Sequence, residues 1–168
     1  MDVFALRDRK WLLKLFRVLL ATFGCTAALY ASADRLAPTV GDVSQAQLLA
    51  QYPVFQEKYT AYETPKVVLG LPSDLTVTIF FGTWCHDSER EVPRVLKLLA
   101  ASGVEEKNIS LIGLDIRKQE PEGRAKVLGI KYTPTFVFFS GGKEIGRIIE
   151  RPTISLQDDI AAIASVSR

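Results

Sequence analysis

The segment from Phe81 to Ser88, FGTWCHDS, holds the residues best suited to chemistry. Cys85 follows an apolar, β-branched stretch that predicts a strand, and residues 88–101 have the apolar spacing of a helix. A cysteine between a strand and a helix lies at the helix N-terminus, where unpaired backbone N–H groups and the helix dipole favour a thiolate. Because the thiolate is the nucleophilic form, Cys85 is a candidate nucleophile.

His86 and Asp87 lie beside this cysteine and are candidate substrate contacts with opposite effects on it. A protonated imidazole would favour the thiolate, whereas a carboxylate would oppose it, although an acid suits the first turn of a helix. The sequence leaves their net effect open. One histidine and two cysteines in the whole chain are too few for a zinc finger or an iron–sulfur site, so we expect neither a metal nor a cofactor.

The elements around this segment predict an α/β domain. Apolar runs predict strands at 75–81, 109–114, 135–139 and 144–150, and a Gly-Gly pair at 141–142 predicts a hairpin between the last two. Helical patterns cover 88–101, 121–128 and 156–166, and a further helix after Ser44 is interrupted at Pro53. The order predicts parallel strands with crossover helices, followed by an antiparallel pair. The charges in 89–94 and 117–124 are interpreted as solvated faces.

The motifs resemble those of the thioredoxin superfamily over residues 76–166. Trp84 and Cys85 match the start of the family's Trp-Cys-x-x-Cys motif, and Pro93 matches a proline of the following helix. Thr133-Pro134-Thr135 matches the family's cis-proline loop. The resemblance implies a thioredoxin-like fold, with a central mixed sheet flanked by helices.

The resemblance also implies a substrate groove. It implies that Pro134 is cis, that the Thr133 backbone lies beside the thiol, and that Trp84 forms an apolar wall. An extended substrate segment would pair with this backbone by strand addition.

Ser88 departs from the family pattern because a dithiol enzyme has its second cysteine there. A serine hydroxyl can hydrogen-bond the Cys85 thiolate, but it cannot form the disulfide that releases a bound substrate. Ile79 likewise replaces the family's buried acid. We therefore expect a monothiol oxidoreductase or isomerase-like protein that acts on protein or small-thiol disulfides through Cys85, assisted by Ser88.

Two other functions stay open at this point. A redox-inactive binding or scaffold module of the cell envelope would also tolerate the loss of the second cysteine. A peroxide-reducing thiol protein is less favoured, because the motif lacks the Thr/Ser-x-x-Cys pattern with a nearby arginine that is typical of peroxiredoxins.

The first 33 residues predict an export signal or a membrane anchor. Basic residues between Arg7 and Arg17 precede an uncharged stretch, 18–33, which ends in Ala-Ser-Ala. Cys25 within it offers a third alternative, a lipoprotein site, although the preceding residues fit poorly. Basic residues ahead of the apolar stretch place the body on the periplasmic or extracytoplasmic side, where a membrane-bound reductant would supply electrons.

Charge and composition set the remaining expectations. The formal net charge of +2 is too small to indicate a nucleic-acid partner, and membrane contact is expected only through residues 1–33. Residues 34–74 are interpreted as a linker and N-terminal helical extension, and 75–168 as the thioredoxin-like domain.

Overall fold

The computed structural model of the protein describes residues 37–66 and 69–166. The predictions for residues 1–33, including Cys25 and the choice between signal, anchor and lipoprotein, lie outside these residues. The described residues belong to one compact unit, which begins at Ala37. Among the helices described here, none is both long enough and apolar enough to cross a membrane.

A five-stranded mixed sheet forms the centre of this unit. Its strands are β1 (Gly41–Val43), β2 (Thr76–Phe81), β3 (Ile109–Gly113), β4 (Thr135–Ser140) and β5 (Lys143–Ile149). They lie in the order β1-β3-β2-β4-β5, with β2 and β3 parallel and the other three pairings antiparallel. The predicted mixed sheet, with its parallel central pair and C-terminal antiparallel pair, is confirmed.

The helices cover both faces of the sheet. They are α1 (Gln45–Gln51), α2 (Pro53–Ala61), α3 (His86–Ala101), α4 (Arg124–Val127) and α5 (Leu156–Ser165). The core on one face includes side chains of α1, α2, α3 and α5, whereas the core on the other face is built mainly on β2, β3, β4 and the short α4. The inner strands β2, β3 and β4 supply alternate residues to the two cores, as the period of two requires.

Local signals explain where several elements begin and end. The Ser44 hydroxyl and the Gln47 side chain form a reciprocal capping box at α1, and Pro53 starts α2 after the break at Tyr52. Gly141 and Gly142 have φ values of 58° and 72°, which the hairpin between β4 and β5 requires. The Ser155 hydroxyl accepts from the Asp158 amide and caps α5.

The N-terminal extension differs from the expectation of a linker. Strand β1 lies within residues interpreted as linker, and its Gly41, with φ of 90°, pairs with Gly113 of β3. A three-residue strand is too short to show alternation, which explains why the sequence did not reveal it. Helix α2 packs on α3, with Arg94 over the Tyr62 ring at 5.1 Å. The compact unit therefore starts at Ala37 and includes residues ahead of the boundary expected at position 75.

The segment around Glu120 differs from the predicted helix 121–128 with a solvated face. Helix α4 begins only at Arg124, after Gly123 in the left-handed region at φ 71°. The Glu120 side chain is fully buried, and its carboxylate accepts hydrogen bonds from the amides of Glu122 at 2.8 Å and Ala125 at 3.1 Å. The carboxylate thus takes over the capping role at α4. A sequence pattern of charges alone does not reveal such a buried cap.

The Glu120 carboxylate should stabilise the fold in a pH-dependent way. Burial opposes its ionisation, but the two amide donors and the nearby Arg124 charge outweigh burial and lower the pKa of Glu120. Because the pKa of Glu120 is lower in the folded state, its ionised carboxylate stabilises the fold at pH values above the ordinary glutamate pKa. This stabilisation is lost as the pH falls through the pKa of the folded state. Glu120→Gln should therefore lower the free energy of unfolding at pH 7 by about 1–2 kcal/mol.

Urea unfolding of the variant and the wild type at pH 7 and below about pH 4 measures this effect. The difference between the two proteins should shrink at the acidic pH. Glu106→Gln, at an exposed carboxylate, is the matched control. A Glu120→Gln difference that stays constant with pH would contradict the capping role.

Candidate active site

The turn between β2 and α3 positions the thiol of Cys85. The Cys85 amide donates to the Gly82 carbonyl at 3.0 Å, and the Cys85 carbonyl accepts the Glu89 amide at 3.0 Å. Cys85 is therefore the N-cap of a 16-residue helix, and its side chain is neither fully buried nor fully exposed. The unpaired N–H groups of the first turn give this position a positive potential.

The loop before β4 brings a backbone carbonyl to this thiol. The Thr133–Pro134 peptide bond is cis, and both residues are buried. The Cys85 thiol donates to the Thr133 carbonyl oxygen, with a distance of 3.1 Å between Sγ and O. Cys85 and Thr133 are 48 positions apart in the chain, and this contact brings them together. With Pro134, three of the predicted site residues therefore lie at one place.

Two contacts and one small residue fix the position of Trp84, the residue that precedes Cys85. Its indole N–H donates to the Leu114 carbonyl at 2.9 Å, which fastens the ring to the segment after β3. Gly82 leaves room for the ring, because a Cβ at that position would lie 2.5 Å from Trp84 Cε2. The Lys118 ammonium lies 5.7 Å from the ring centroid. Since 37% of Trp84 stays exposed, it presents an apolar surface next to Cys85.

The structure corrects the predicted role of Ser88. Its side chain is fully buried, and its hydroxyl accepts a hydrogen bond from the Gly82 amide at 3.2 Å. The predicted hydrogen bond with the Cys85 thiol is not formed among the described residues. The reason is positional: β2 ends at Phe81, so the buried Gly82 amide needs an acceptor, and the hydroxyl supplies it. Ser88 therefore acts on the turn that carries the thiol.

His86 and Asp87 contact other residues of their own helix. The His86 side chain is 90% exposed, with Nδ1 3.3 Å from a Glu89 carboxylate oxygen. Asp87 accepts from Arg90 at 2.6 Å. Both residues lie at the start of α3 next to Cys85, but their polar atoms are directed to these neighbours.

Glu91 is a buried charge that the sequence interpretation placed on a solvated face. Only 3% of its side chain is exposed, and it accepts from Arg90 at 2.7 Å and from Arg94 at 3.0 and 3.1 Å. The hydrogen bond with Glu91 raises the pKa of Arg90 above its ordinary value. Helical spacing could have indicated that Glu91 is buried, because Ser88, Glu91 and Val95 share the buried stripe of α3.

The described residues do not bring together three or more His, Cys, Asp or Glu side chains in a metal-binding arrangement.

The topology and the site together decide the fold. The parallel β2–β3 pair, the antiparallel β4–β5 hairpin, a cysteine at the N-terminus of α3 and a cis-proline loop facing it all match the expectations of the resemblance. The fold is thioredoxin-like.

Solved structures of thioredoxins resemble this thioredoxin-like chain. The Malassezia sympodialis thioredoxin is 24% identical, covers 79% of this chain and 96% of its own, and has a TM-score of 0.38. Mitochondrial thioredoxin 3 of Saccharomyces cerevisiae is 24% identical, covers 55% and 86%, and has a TM-score of 0.35. A thioredoxin variant from Halobacterium salinarum is 16% identical, covers 55% and 73%, and has a TM-score of 0.38.

A search of protein-family models and a search of curated proteins find no match for the sequence.

The role of Ser88 in the turn has a direct consequence for stability. Ser88→Ala should leave the buried Gly82 amide without an acceptor and should lower the free energy of unfolding by about 1–3 kcal/mol. Urea unfolding measures the change, and Ser110→Ala at an exposed site of β3 should stay within about 0.5 kcal/mol of the wild type. Equal effects of the two variants would contradict this role.

Proposed function

We propose that the protein catalyses thiol–disulfide exchange through Cys85 as a monothiol. The observation that carries the proposal is the position of the thiol: it caps α3 and lies 3.1 Å from the Thr133 carbonyl, with Trp84 beside it. The N-terminal position on α3 brings unpaired backbone N–H groups to the sulfur, and the partial exposure of Cys85 admits a disulfide.

The first step forms a mixed disulfide. The Cys85 thiolate attacks one sulfur of a substrate disulfide, a new bond forms between the two sulfurs, and the second substrate sulfur leaves as a thiolate. No electrons are gained or lost overall, because a disulfide and a thiolate react to form a different disulfide and a different thiolate. The substrates are disulfides of proteins or of small thiols.

The second step needs a thiolate from outside the motif, because Ser88 cannot attack the mixed disulfide. An external thiolate releases the substrate and restores Cys85, while the substrate forms a disulfide with the external thiol. A second thiolate of the substrate achieves the same release and leaves a rearranged substrate disulfide. The second route is isomerisation and consumes no reductant.

The groove beside the thiol supports binding of an extended segment. Thr133 and Pro134 precede β4 directly, so a substrate strand in this place would lie against backbone that continues into the sheet. Trp84 supplies apolar contact at one side of the thiol. His86 and Asp87, at the exposed start of α3, complete the proposed contact surface.

The proposed location is outside the cytoplasm, in the periplasm or anchored to the membrane and facing the extracytoplasmic side. The export pattern of residues 1–33 supports it, and disulfides persist in such compartments. A membrane-bound reductant is the proposed source of the external thiol.

One observation favours a second candidate, a redox-inactive binding module of the cell envelope. Ser88 hydrogen-bonds the Gly82 amide and so stabilises the fold without assisting the thiol. A module of this kind would keep the groove and not turn over disulfides.

Trapping of the mixed disulfide separates these two functions. The full chain with Cys25→Ser, which leaves Cys85 as the only thiol, is mixed with a peptide disulfide and analysed by mass spectrometry. The exchange function predicts a Cys85–peptide adduct at neutral pH and its loss when an external thiol is added. Cys85→Ser in the same background is the control. If the folded chain with Cys85 formed no adduct, the exchange function would be excluded and the binding module would remain as the candidate function.

Conversion of the motif to a dithiol tests the reason for monothiol behaviour. In Ser88→Cys, the introduced thiol is three residues from Cys85 on the same helix face, so it should attack the mixed disulfide and release the substrate without an external thiol. The Ser88→Cys protein should not accumulate the adduct. Ser165→Cys, which has its second thiol at the end of α5, should accumulate the adduct as the parent protein does. Persistence of the adduct in Ser88→Cys would contradict the assigned role of position 88.

A further inference from the structure

Four strand ends define the end of the sheet at which the thiol lies. β2 and β3 end at Phe81 and Gly113, which pair with each other, and β1 begins at Gly41, opposite Gly113. β4 begins at Thr135, beside the end of β2. The turn that carries Cys85 and the cis-proline loop both lie at this end of the sheet, which we call the site end.

The chain enters the compact unit at the site end. β1 runs antiparallel to β3, so the residues that precede it extend beyond this end of the sheet. The Thr39 amide donates to the hydroxyl of Thr83, a residue of the turn that carries the thiol, at 3.3 Å. The Ala37 carbonyl accepts the Tyr52 hydroxyl at 2.8 Å. The first described residues are therefore fastened close to the candidate active site.

The chain ahead of Ala37 limits how far the site end can lie from a membrane anchor. Residues 18–33 are the uncharged stretch that predicts an export signal or an anchor, and only residues 34–36 separate it from Ala37. Whatever the conformation of these residues, the four Cα–Cα distances from residue 33 to residue 37 span at most about 14 Å. An anchored chain therefore keeps the bilayer close to the site end.

Three segments at the site end carry exposed apolar side chains. Trp84, which is partly exposed, directly precedes Cys85. Tyr132, which is 51% exposed, directly precedes the residue whose carbonyl contacts the thiol. Ile116, which is 70% exposed, follows two residues after Leu114, whose carbonyl accepts the Trp84 indole N–H. Tryptophan and tyrosine side chains are enriched at membrane–water interfaces, so this composition suits contact with a bilayer.

The loops that carry Ile116 and Tyr132 hold three basic side chains and one acidic side chain. The bases are Arg117, Lys118 and Lys131, which form no ion pair within residues 37–66 and 69–166. The acid is Asp115, and one of its carboxylate oxygens accepts two backbone amides of its own loop. In the loop after β5, Glu150 and Arg151 add one charge of each sign, and the acids at the start of α3 contact Arg90 and His86. The excess of basic side chains on the two loops favours an anionic surface.

We propose that the site end is a membrane-contact surface, on which Trp84, Ile116 and Tyr132 enter the interface of an anionic bilayer and the basic side chains face its headgroups. The proposal rests on the anchored form of the location proposed above, and it extends membrane contact beyond residues 1–33. The short connection to the anchor favours a lipid surface over a soluble protein, because it keeps the bilayer beside this end at all times. Cys85 would then act on disulfides held close to the bilayer surface.

The fluorescence of Trp84 tests this contact in the full chain. Trp11→Phe leaves Trp84 as the only tryptophan. The protein is reconstituted into vesicles of phosphatidylcholine and phosphatidylglycerol, and flotation of the vesicles measures whether the chain is bound. In matched vesicles the phosphatidylcholine is brominated near the glycerol end of its acyl chains. Bromine should quench the emission of Trp84, and aqueous iodide should quench it less than in the detergent-solubilised protein.

Two further variants in the Trp11→Phe background separate the contact from the anchor. Ile116→Glu with Tyr132→Glu should float with the vesicles but should lose the quenching by bromine, because anionic headgroups repel the two carboxylates. Urea unfolding checks that this variant is folded. Val166→Glu is the matched control, because it changes an exposed apolar residue after α5, a helix length from the loop that meets Pro134. It should keep the quenching.

A chain that floats, but whose Trp84 is not quenched by bromine and stays open to iodide, would overturn the proposal and leave the anchor intact. The exposed apolar side chains would then be assigned to contact with a protein substrate. A chain that fails to float would overturn the anchor and the proposal together. The exchange function is tested independently, because trapping of the mixed disulfide on Cys85 requires no membrane.

Discussion

The contact between the Cys85 thiol and the Thr133 carbonyl joins the two segments on which the site depends. These segments are far apart in the chain, and the 3.1 Å distance between Sγ and O exists only because β2 and β4 are neighbours in the sheet. The β2–α3 turn supplies the thiol, and the loop entering β4 supplies the carbonyl. Any change in strand order would separate them, so the sheet topology is the condition for the chemistry.

Gly82 connects the stability of the fold to the geometry of the site. Its amide donates to Ser88, its carbonyl accepts the Cys85 amide, and its missing side chain leaves space for the Trp84 ring. One residue therefore sets the positions of the thiol and of the apolar wall beside it. Ser88 contributes to the same turn, because its buried hydroxyl accepts the Gly82 amide.

The sequence allowed the main strands, the α3 helix and the hairpin to be predicted, because these depend on local periodicity and on residues with special backbone preferences. Gly141 and Gly142 indicated the hairpin, and Pro53 indicated the break between α1 and α2. Strand β1 and the buried carboxylates of Glu91 and Glu120 were missed. Short strands carry no periodicity, and a buried charge depends on partners that come from the three-dimensional arrangement.

The site residues were predictable to different degrees, because only some of their roles depend on the local sequence. Cys85 followed from its place between a strand and a helix, and the cis-proline loop followed from the family resemblance. The acceptor role of Ser88 was not predictable, because it depends on a Gly82 amide left without a strand partner. The left-handed backbone of Lys118 and Glu150 was equally hidden, since this conformation at a non-glycine residue has no simple sequence signal.

The rate of alkylation of Cys85 by iodoacetamide at pH 7 tests the central claim most directly. The measurement compares the folded full chain carrying Cys25→Ser with the same chain unfolded in urea. Because the positive potential at the α3 N-terminus stabilises the negative charge on the attacking sulfur, the folded protein should react faster than the unfolded chain. An equal or slower reaction of the folded protein would contradict the account of Cys85 as a nucleophile prepared by the fold.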